Sequence, residues 1–237
     1  MQRFARVFCL AALTLGTFSL AAPLLDPLAW ATPTGPQILA ALDDPAGWEP
    51  IGTSRGVNVF KKTISGVNVP ALRGERVATV NADAIYAKIA NIAGQKFVNP
   101  MLAESVVLRK EGSSIDFYQV LKSPVPGSSP RYWINGAKNI KNVNGEAGHH
   151  KQTWELLPET SYPEVREQIK ATYGDPVWTP LNYGSWEVRD QGEGKTLITY
   201  TVVSHPGGNV PEGAFSWGSE KSLPDNINGF VKAAGGS

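Results

Sequence analysis

Apolar and polar residues alternate with a period of two over most of this chain, and that alternation predicts β-strands. The alternating segments are residues 57–62, 67–80, 105–110, 114–121, 131–140, 150–157, 183–189 and 195–204. Turn signals rich in Gly, Asn and Ser separate most of them, as at Glu111-Gly-Ser-Ser. We therefore predict an antiparallel sheet built largely from hairpins.

Helical spacing is found before, between and after the strands. Residues 37–42 predict a short helix that ends at Asp43-Asp44-Pro45, and residues 164–173 predict a mostly polar helix. A further helix begins near Asn81, with Asp83 as its predicted N-cap, and ends at Gly94. Strands that follow one another, with helices set apart from them, indicate the α+β class.

The last helix carries the strongest apolar face. Leu223, Ile227, Phe230 and Val231 fall at i, i+4, i+7 and i+8, which places them on one side of a helix. That side has to be buried against the sheet, either as the seal of an ordinary core or as the cover of a cavity. Pro224, together with Gly213 and Gly218, weakens the helix and favours a cover that opens.

The first residues have the pattern of a secretory signal peptide. Arg3 and Arg6 precede an apolar run at residues 7–22, and Ala29-Trp30-Ala31 is a small-x-small cleavage site. The alternative is an uncleaved anchor, because the apolar run is nearly long enough to span a bilayer. We predict an exported protein in a bacterial periplasm, with secretion as the alternative.

Composition narrows the function further. Without the leader the net charge falls from +1 to nearly zero, which gives no indication of a nucleic-acid partner. The single cysteine, Cys9, lies in the leader, so the mature chain has neither a disulfide nor a thiol site. We predict a monomer without cofactors, and transient contact with a membrane remains open.

No catalytic or metal-binding constellation is evident. His149 and His150 are adjacent in a strand and point to opposite faces, so they do not serve one site together. The histidines show no HxH or HxxxH spacing on which a metal centre could be built, and no Gly-x-Ser-x-Gly elbow or Gly-rich phosphate loop occurs. Two amides inside strands, Gln119 and Asn135, are more informative, because amides that face a cavity can bind a hydroxyl or carbonyl group. Both residues face either solvent or the interior, depending on the phase of the alternation.

The chain resembles a START domain, the steroidogenic-acute-regulatory-related lipid-transfer module. The resemblance rests on YQVLKSPVPGSSPRYW at residues 118–133, WEV at 186–188, LITY at 197–200 and PGGNVP at 206–211. It also includes GVNVF at 56–60, RGE at 73–75 and the helix at 84–93, and it spans nearly all of residues 47–234.

The resemblance implies a helix-grip fold, in which a curved antiparallel sheet encloses a hydrophobic cavity closed by a long C-terminal helix. It also implies one lipid or sterol-like ligand and a loop at residues 122–130 near the cavity mouth. Some sterol-type members carry an acidic and a basic residue inside the tunnel, and those positions align with Gln119 and Ala137 here. We therefore expect a more neutral tunnel, and we expect the long segment at 158–180 to reshape its far end.

These observations predict a signal peptide at 1–31, a tether and short helix at 32–46, and a START-like lipid-binding domain at 47–236. We predict that the ligand contacts Phe117, Gln119, Trp133, Asn135, Thr201, Phe215 and Ile227. The predicted function is non-enzymatic transfer or sequestration of a hydrophobic small molecule.

Two other functions stay open from the sequence. The first is an enzyme of the wider helix-grip superfamily, a cyclase, aromatase or hydrolase, whose acids and bases would be His150, Glu155 or Asp116. The second is a ligand sensor with a protein partner, for which no exposed motif argues.

Overall fold

The computed structural model describes residues 32–122, 129–208 and 212–237, with only the backbone of residues 212–221. The helices are α1 (Gly35–Asp43), α2 (Ala82–Ala90), α3 (Gln95–Val98), α4 (Pro163–Tyr173) and α5 (Glu212–Ala233). The strands are β1 (Glu49–Ser54), β2 (Val57–Lys62), β3 (Ala71–Thr79), β4 (Leu102–Glu111), β5 (Ser114–Leu121), β6 (Arg131–Ile140), β7 (His149–Leu156), β8 (Val177–Trp178), β9 (Leu181–Gly192) and β10 (Lys195–His205).

The strands form one large curved sheet in the order β1-β2-β3-β10-β9-β7-β6-β5-β4. Every pair along this path is antiparallel, whereas the two-residue strand β8 pairs in parallel with β6. The predicted α+β class and the helix-grip architecture are confirmed. We call the face that carries α2 and α5 the inner face, and the face that carries α1 and α4 the outer face.

Helices α2 and α5 share the inner face. Their buried apolar side chains belong to one cluster with strand residues, and they are Ile85, Tyr86, Ile89, Leu223, Ile227, Phe230 and Val231. The face of the last helix that the spacing predicts is therefore buried against the sheet.

Strand β3 approaches α5 closely at Gly74. A Cβ atom at this position would lie 2.1 Å from Leu223 Cδ2 and 2.7 Å from Ile227 Cδ1. Any larger residue would therefore displace the helix or force both side chains out of their rotamers. A polar contact holds the same half of α5, since Asn228 Nδ2 donates a hydrogen bond of 3.1 Å to the carbonyl of Arg55.

Helix α1 packs on the outer face, where Leu42 is buried in a cluster with Val203 of β10. The carbonyl groups at its C-terminal end accept hydrogen bonds from two cations. Lys62 Nζ donates to the carbonyl of Ala41 over 2.7 Å, and Arg73 donates to that of Leu42 over 3.0 Å. Positive charge at this end compensates both the unpaired carbonyls and the helix dipole.

Helix α4 covers the other part of the outer face. Val165 and Ile169 are buried in a cluster with residues of β5 and β6, including Tyr118. Tyr118 and Tyr173 both donate to the carboxylate of Glu104, over 2.7 Å and 2.9 Å. The long segment between β7 and β9 thus lies on the side of the sheet opposite to the inner face.

Some local predictions were wrong. Asp83 is not the N-cap of α2, because the side chain of Asn81 accepts the hydrogen bond from Ala84 N. The helix ends at Ala90 rather than at Gly94, and a 3₁₀ turn over Ile92–Gly94 and the short helix α3 follow it. Strand β8 was not predicted, since two residues are too few for an alternating pattern.

Candidate functional site

A cavity of about 80 Å³ lies on the inner face of the sheet. Its aromatic lining consists of Phe117, Trp133, Trp154, Trp186 and Tyr200. Its polar lining consists of the amides Gln95, Gln119, Asn135, Gln152 and Asn182. None of these ten described lining residues carries a charged side chain, and half of them are amides.

The strands present these residues in pairs because side chains two positions apart share a face of a sheet. Strand β5 contributes Phe117 and Gln119, and β6 contributes Trp133 and Asn135. The same alternation places Tyr118 of β5 in the cluster under α4, on the outer face. An aromatic residue and an amide thus enter the cavity together from each of these strands.

Gln119 is fully hydrogen-bonded within the protein. Its Nε2 donates to Gln95 Oε1 over 2.7 Å and to Ser105 Oγ over 2.9 Å. Its Oε1 accepts a hydrogen bond of 3.1 Å from Trp133 Nε1. Ser105 in turn donates to the carbonyl of Ile92 over 2.6 Å. This side of the cavity is a closed network, and Gln119 orients the Trp133 indole within it.

On the opposite side two amides are only half satisfied. Asn182 Oδ1 accepts from Trp154 Nε1 over 3.0 Å, and Gln152 Nε2 donates to Asn139 Oδ1 over 2.8 Å. In the described part of the chain, Asn182 Nδ2 and Gln152 Oε1 have no hydrogen-bond partner. One donor and one acceptor therefore remain available on this side.

Asn135 is the least satisfied residue of the lining. It is 1% exposed, and its Oδ1 is buried without a hydrogen-bond partner. Among the described residues, neither its Nδ2 nor the hydroxyl of Tyr200 has a partner. Burial raises the pKa of Tyr200 above its ordinary value, so the hydroxyl stays protonated and able to donate at neutral pH.

The aromatic residues form one stacked group beside these polar atoms. The rings of Trp186 and Tyr200 lie 4.1 Å apart at 20°, and those of Trp154 and Tyr200 lie 5.9 Å apart at 26°. Phe230 of α5 meets Trp186 edge to face at 4.9 Å. The cavity therefore has an aromatic wall that is continuous with the contact between the sheet and α5.

Gly184 of β9 makes room for this wall. A Cβ atom there would lie 2.3 Å from Trp154 Cζ2 and 2.3 Å from the carbonyl oxygen of Thr201. The indole of Trp154 occupies the space that a side chain would need. The missing side chain thus allows Trp154 to reach Asn182.

Comparisons with known proteins agree with this geometry. No family model matches the chain. A STAR-related lipid transfer protein of Xanthomonas axonopodis superposes with a TM-score of 0.61 at 21% identity, over 79% of this chain and 96% of that one. Human StAR-related lipid transfer protein 5 gives a TM-score of 0.70 at 13% identity, over 84% and 91% of the two chains. The chain has the START fold.

Two further similarities concern a human protein and a bacterial one. Human STARD10 superposes with a TM-score of 0.67 at 16% identity, over 82% of this chain and 76% of that one. An uncharacterized protein of Pseudomonas aeruginosa is 26% identical over 166 residues, which are 69% of this chain and 75% of the relative. These similarities establish the fold, and the cavity lies within it.

Four of the predicted ligand-contacting residues line the cavity of this START fold: Phe117, Gln119, Trp133 and Asn135. The structure places both amides on the inner face, a choice that the sequence left open. That they contact a ligand stays a prediction. Ala137, which the resemblance aligned with a tunnel residue, is buried in the inner cluster but is not part of the described lining.

The other three predicted residues do not line the described cavity. Tyr200 faces the cavity, so Thr201 faces outward with Val203, which packs on the α1 side. Ile227 is buried against Gly74 of β3 and makes a core contact. Phe215 lies in the part of α5 whose side chains fall outside the described residues. Thr201 and Ile227 are thus absent from the described lining, and that they contact a ligand stays an untested prediction.

Six lining residues were not predicted: Gln95, Gln152, Trp154, Asn182, Trp186 and Tyr200. A signal for one pair existed, since Gln152-Thr-Trp154 repeats the aromatic-and-amide spacing of Phe117-Tyr-Gln119. Gln95 had no such signal, because it lies in a short helix that the sequence did not indicate.

The residues proposed for an enzyme do not face this cavity. His150 Nε2 lies 3.0 Å from Asp83 Oδ1, and the ring packs on Tyr86. Asp116 Oδ2 accepts hydrogen bonds from Tyr162 and from Arg109 on the outer face. Both side chains thus take part in packing contacts away from the aromatic and amide wall.

Glu155 is exposed on β7 and, as the direct neighbour of Trp154, points to the other face of the strand.

The described residues include no cluster of three or more His, Cys, Asp or Glu with the geometry to hold a metal ion. Within the same part of the chain, no helix combines the length and apolar character needed to cross a bilayer.

Proposed function

We propose that this protein is an exported carrier that binds one hydrophobic molecule inside the START fold and transfers or sequesters it without chemical change. The observation that supports this most directly is the cavity with a stacked aromatic wall on the inner face of the sheet, in a fold that this chain shares with STAR-related lipid transfer proteins. The acid–base residues available from the sequence are engaged elsewhere, which favours binding over turnover.

Burial of apolar surface supplies the affinity. Enclosing about 400 Å² of a lipid at about 25 cal/mol per Å² releases about 10 kcal/mol before ordering costs are subtracted. The cavity of about 80 Å³ is smaller than the roughly 300–1,000 Å³ of pockets that hold a whole drug-sized ligand. Uptake of a lipid therefore requires the cavity to enlarge.

Helix α5 is the element best suited to move when the cavity enlarges. Its C-terminal half is anchored by Leu223, Ile227 and Phe230, all buried in the inner cluster. Pro224 has no backbone N–H, so the helix lacks one i→i−4 hydrogen bond at the edge of this anchored half. We propose that the part of α5 before Leu223 moves during ligand exchange while the anchored part from Leu223 onward stays on the sheet.

Native mass spectrometry of the protein purified from periplasmic extract tests the carrier function. The expected result is a protein–ligand complex whose extra mass is that of one lipid, together with a thermal shift on re-addition of that lipid. A protein that co-purifies with nothing and is stabilised by no member of a broad lipid panel would contradict the proposal. The mass of the mature chain tests export separately, because cleavage after Ala31 removes residues 1–31.

A further inference from the structure

We propose that the cavity binds the uncharged polar end of its ligand, an alcohol, ester or ketone oxygen, rather than an ionised headgroup. This inference rests on the proposed carrier function and adds the chemical class of the ligand. It starts from the polar atoms of the lining that remain unpaired.

The unpaired groups are of both hydrogen-bonding kinds. Asn135 offers an amide without any partner in the described chain, Asn182 Nδ2 and Tyr200 offer donors, and Gln152 Oε1 offers an acceptor. A hydroxyl both donates and accepts, and an ester or ketone oxygen accepts, so each finds a partner here. Buried polar groups are nearly always paired in folded proteins, which means that an unpaired group facing a cavity indicates a ligand or water.

The contrast with Gln119 strengthens this assignment. Gln119 uses both its donors and its acceptor oxygen on Gln95, Ser105 and Trp133, so each of its polar atoms already has a partner in the protein. Asn135 lies in register opposite Phe117, the neighbour of Gln119 on the inner face of β5, and has no such contacts. Two amides side by side thus differ in role, one structural and one available.

An ionised headgroup does not fit the same lining. A buried phosphate or carboxylate requires a cationic partner, and a buried ammonium group requires an anionic one. None of the described lining residues is Lys, Arg, His, Asp or Glu. Amides and a protonated tyrosine solvate neutral oxygen atoms at no such cost.

The size of the cavity agrees with a polar end rather than with a whole lipid. A volume of about 80 Å³ is well below the roughly 300–1,000 Å³ of pockets that hold a whole drug-sized ligand. The polar end would occupy this space beside Trp186 and Tyr200, and the apolar body would occupy the enlarged cavity under α5.

A ligand series with one alkyl chain and different ends tests the proposal. The probes are an alkane, a 1-alkanol, a monoacylglycerol, a fatty-acid anion and an alkyltrimethylammonium ion, each below its micelle concentration. Affinities are measured by calorimetry on delipidated full-length protein and on the Asn135→Val and Tyr200→Phe variants. Gln168→Leu on α4 serves as the control, because Gln168 lies on the outer face, where its Nε2 donates to the hydroxyl of Tyr118 over 3.5 Å.

We expect the alkanol and the monoacylglycerol to bind about tenfold more tightly than the alkane and both ions. The Asn135→Val and Tyr200→Phe variants should lose most of that preference, whereas Gln168→Leu should keep it. Tyr200→Phe keeps the stacked ring, so it decides the question if Asn135→Val does not fold.

The possible failures are distinguishable. Equal affinity for every end, or a preference that both cavity variants retain, overturns the proposal of a polar end and leaves the carrier function standing. A preference for the anion or the ammonium ion also overturns it. Absence of binding for the entire series overturns the carrier function as well.

Discussion

The contact between Gly74 and α5 allows a direct test of how closely the helix packs against β3. The change Gly74→Ala adds one methyl group, which would lie 2.1 Å from Leu223 Cδ2 and 2.7 Å from Ile227 Cδ1. Carbon atoms in contact normally lie about 3.5–4.0 Å apart, so the closer of these contacts is short by about 1.5 Å. The helix has to move away from β3, or both side chains have to leave their rotamers.

Overpacking of this kind costs about 1–3 kcal/mol. Replacing glycine by alanine also restricts the unfolded chain, which returns about 0.4–1 kcal/mol. We therefore expect Gly74→Ala to lower the free energy of unfolding by about 1–2 kcal/mol. Leu223→Ala alone removes a side chain that is 1% exposed and should cost about 2–5 kcal/mol.

The double variant carries the decisive result. Once Leu223 is shortened, the new methyl group at position 74 fills part of the space, and only the contact with Ile227 stays tight. The two changes together should therefore cost about 1–2 kcal/mol less than the sum of the single changes. Urea unfolding of the wild type, both single variants and the double variant measures this coupling free energy.

Gly136→Ala is the matched control, because it is also a glycine inside a strand. The nearest atom to its added methyl group would be Leu157 Cδ2 at 3.3 Å, the end of a flexible side chain. Its effect should stay below about 1 kcal/mol. Costs of Gly74→Ala and Leu223→Ala that add within about 0.5 kcal/mol would refute the view that α5 is seated on this glycine.

Three further predictions concern the cavity, the cover and a buried tyrosine. Without ligand, Asn135→Val should raise the free energy of unfolding by about 1–2 kcal/mol, because it removes a buried unpaired amide; a loss of stability in urea titrations would contradict this. Pro224→Ala restores a helical N–H and should stabilise the protein by about 1–3 kcal/mol and slow ligand exchange in stopped-flow displacement; unchanged exchange would exclude a role for the break in α5. Burial raises the pKa of Tyr86 to about 12. The stability that comes from keeping Tyr86 protonated is therefore fully present below about pH 10 and is lost as the pH rises through about 12. Tyr86→Phe should reduce this loss in urea titrations at alkaline pH. If the free energy of unfolding of the variant falls with pH as steeply as that of the wild type, the prediction is contradicted.

The sequence predicted the class of the fold well because its strands are long and alternate clearly. Strands β5 and β6 and the apolar stripe of α5 are where the spacing placed them. The phase of the alternation could not be obtained this way, because Thr201 and its neighbour Tyr200 are equally suited to either face. Only pairing with β9 and packing of α1 decide which of the two faces the cavity.

Other parts of the site depend on contacts between distant residues. The difference between Gln119 and Asn135 is invisible in the sequence, since both are amides beside aromatic residues in strands. It arises from Gln95 and Ser105, which come from elements that the sequence did not connect with Gln119. Hydrogen-bond capacity that remains free is thus a property of the assembled sheet.

The placement of α4 on the outer face has a consequence for shortening or grafting this domain. Beneath the helix lie Tyr118, Val120, Tyr132 and Ile134, all buried in its cluster. A chain without residues 158–180 would keep its inner cavity, but it would expose these side chains to water as a hydrophobic patch on the sheet. We expect such a chain to self-associate, so the segment that looks dispensable for binding is what keeps each molecule apart from the next.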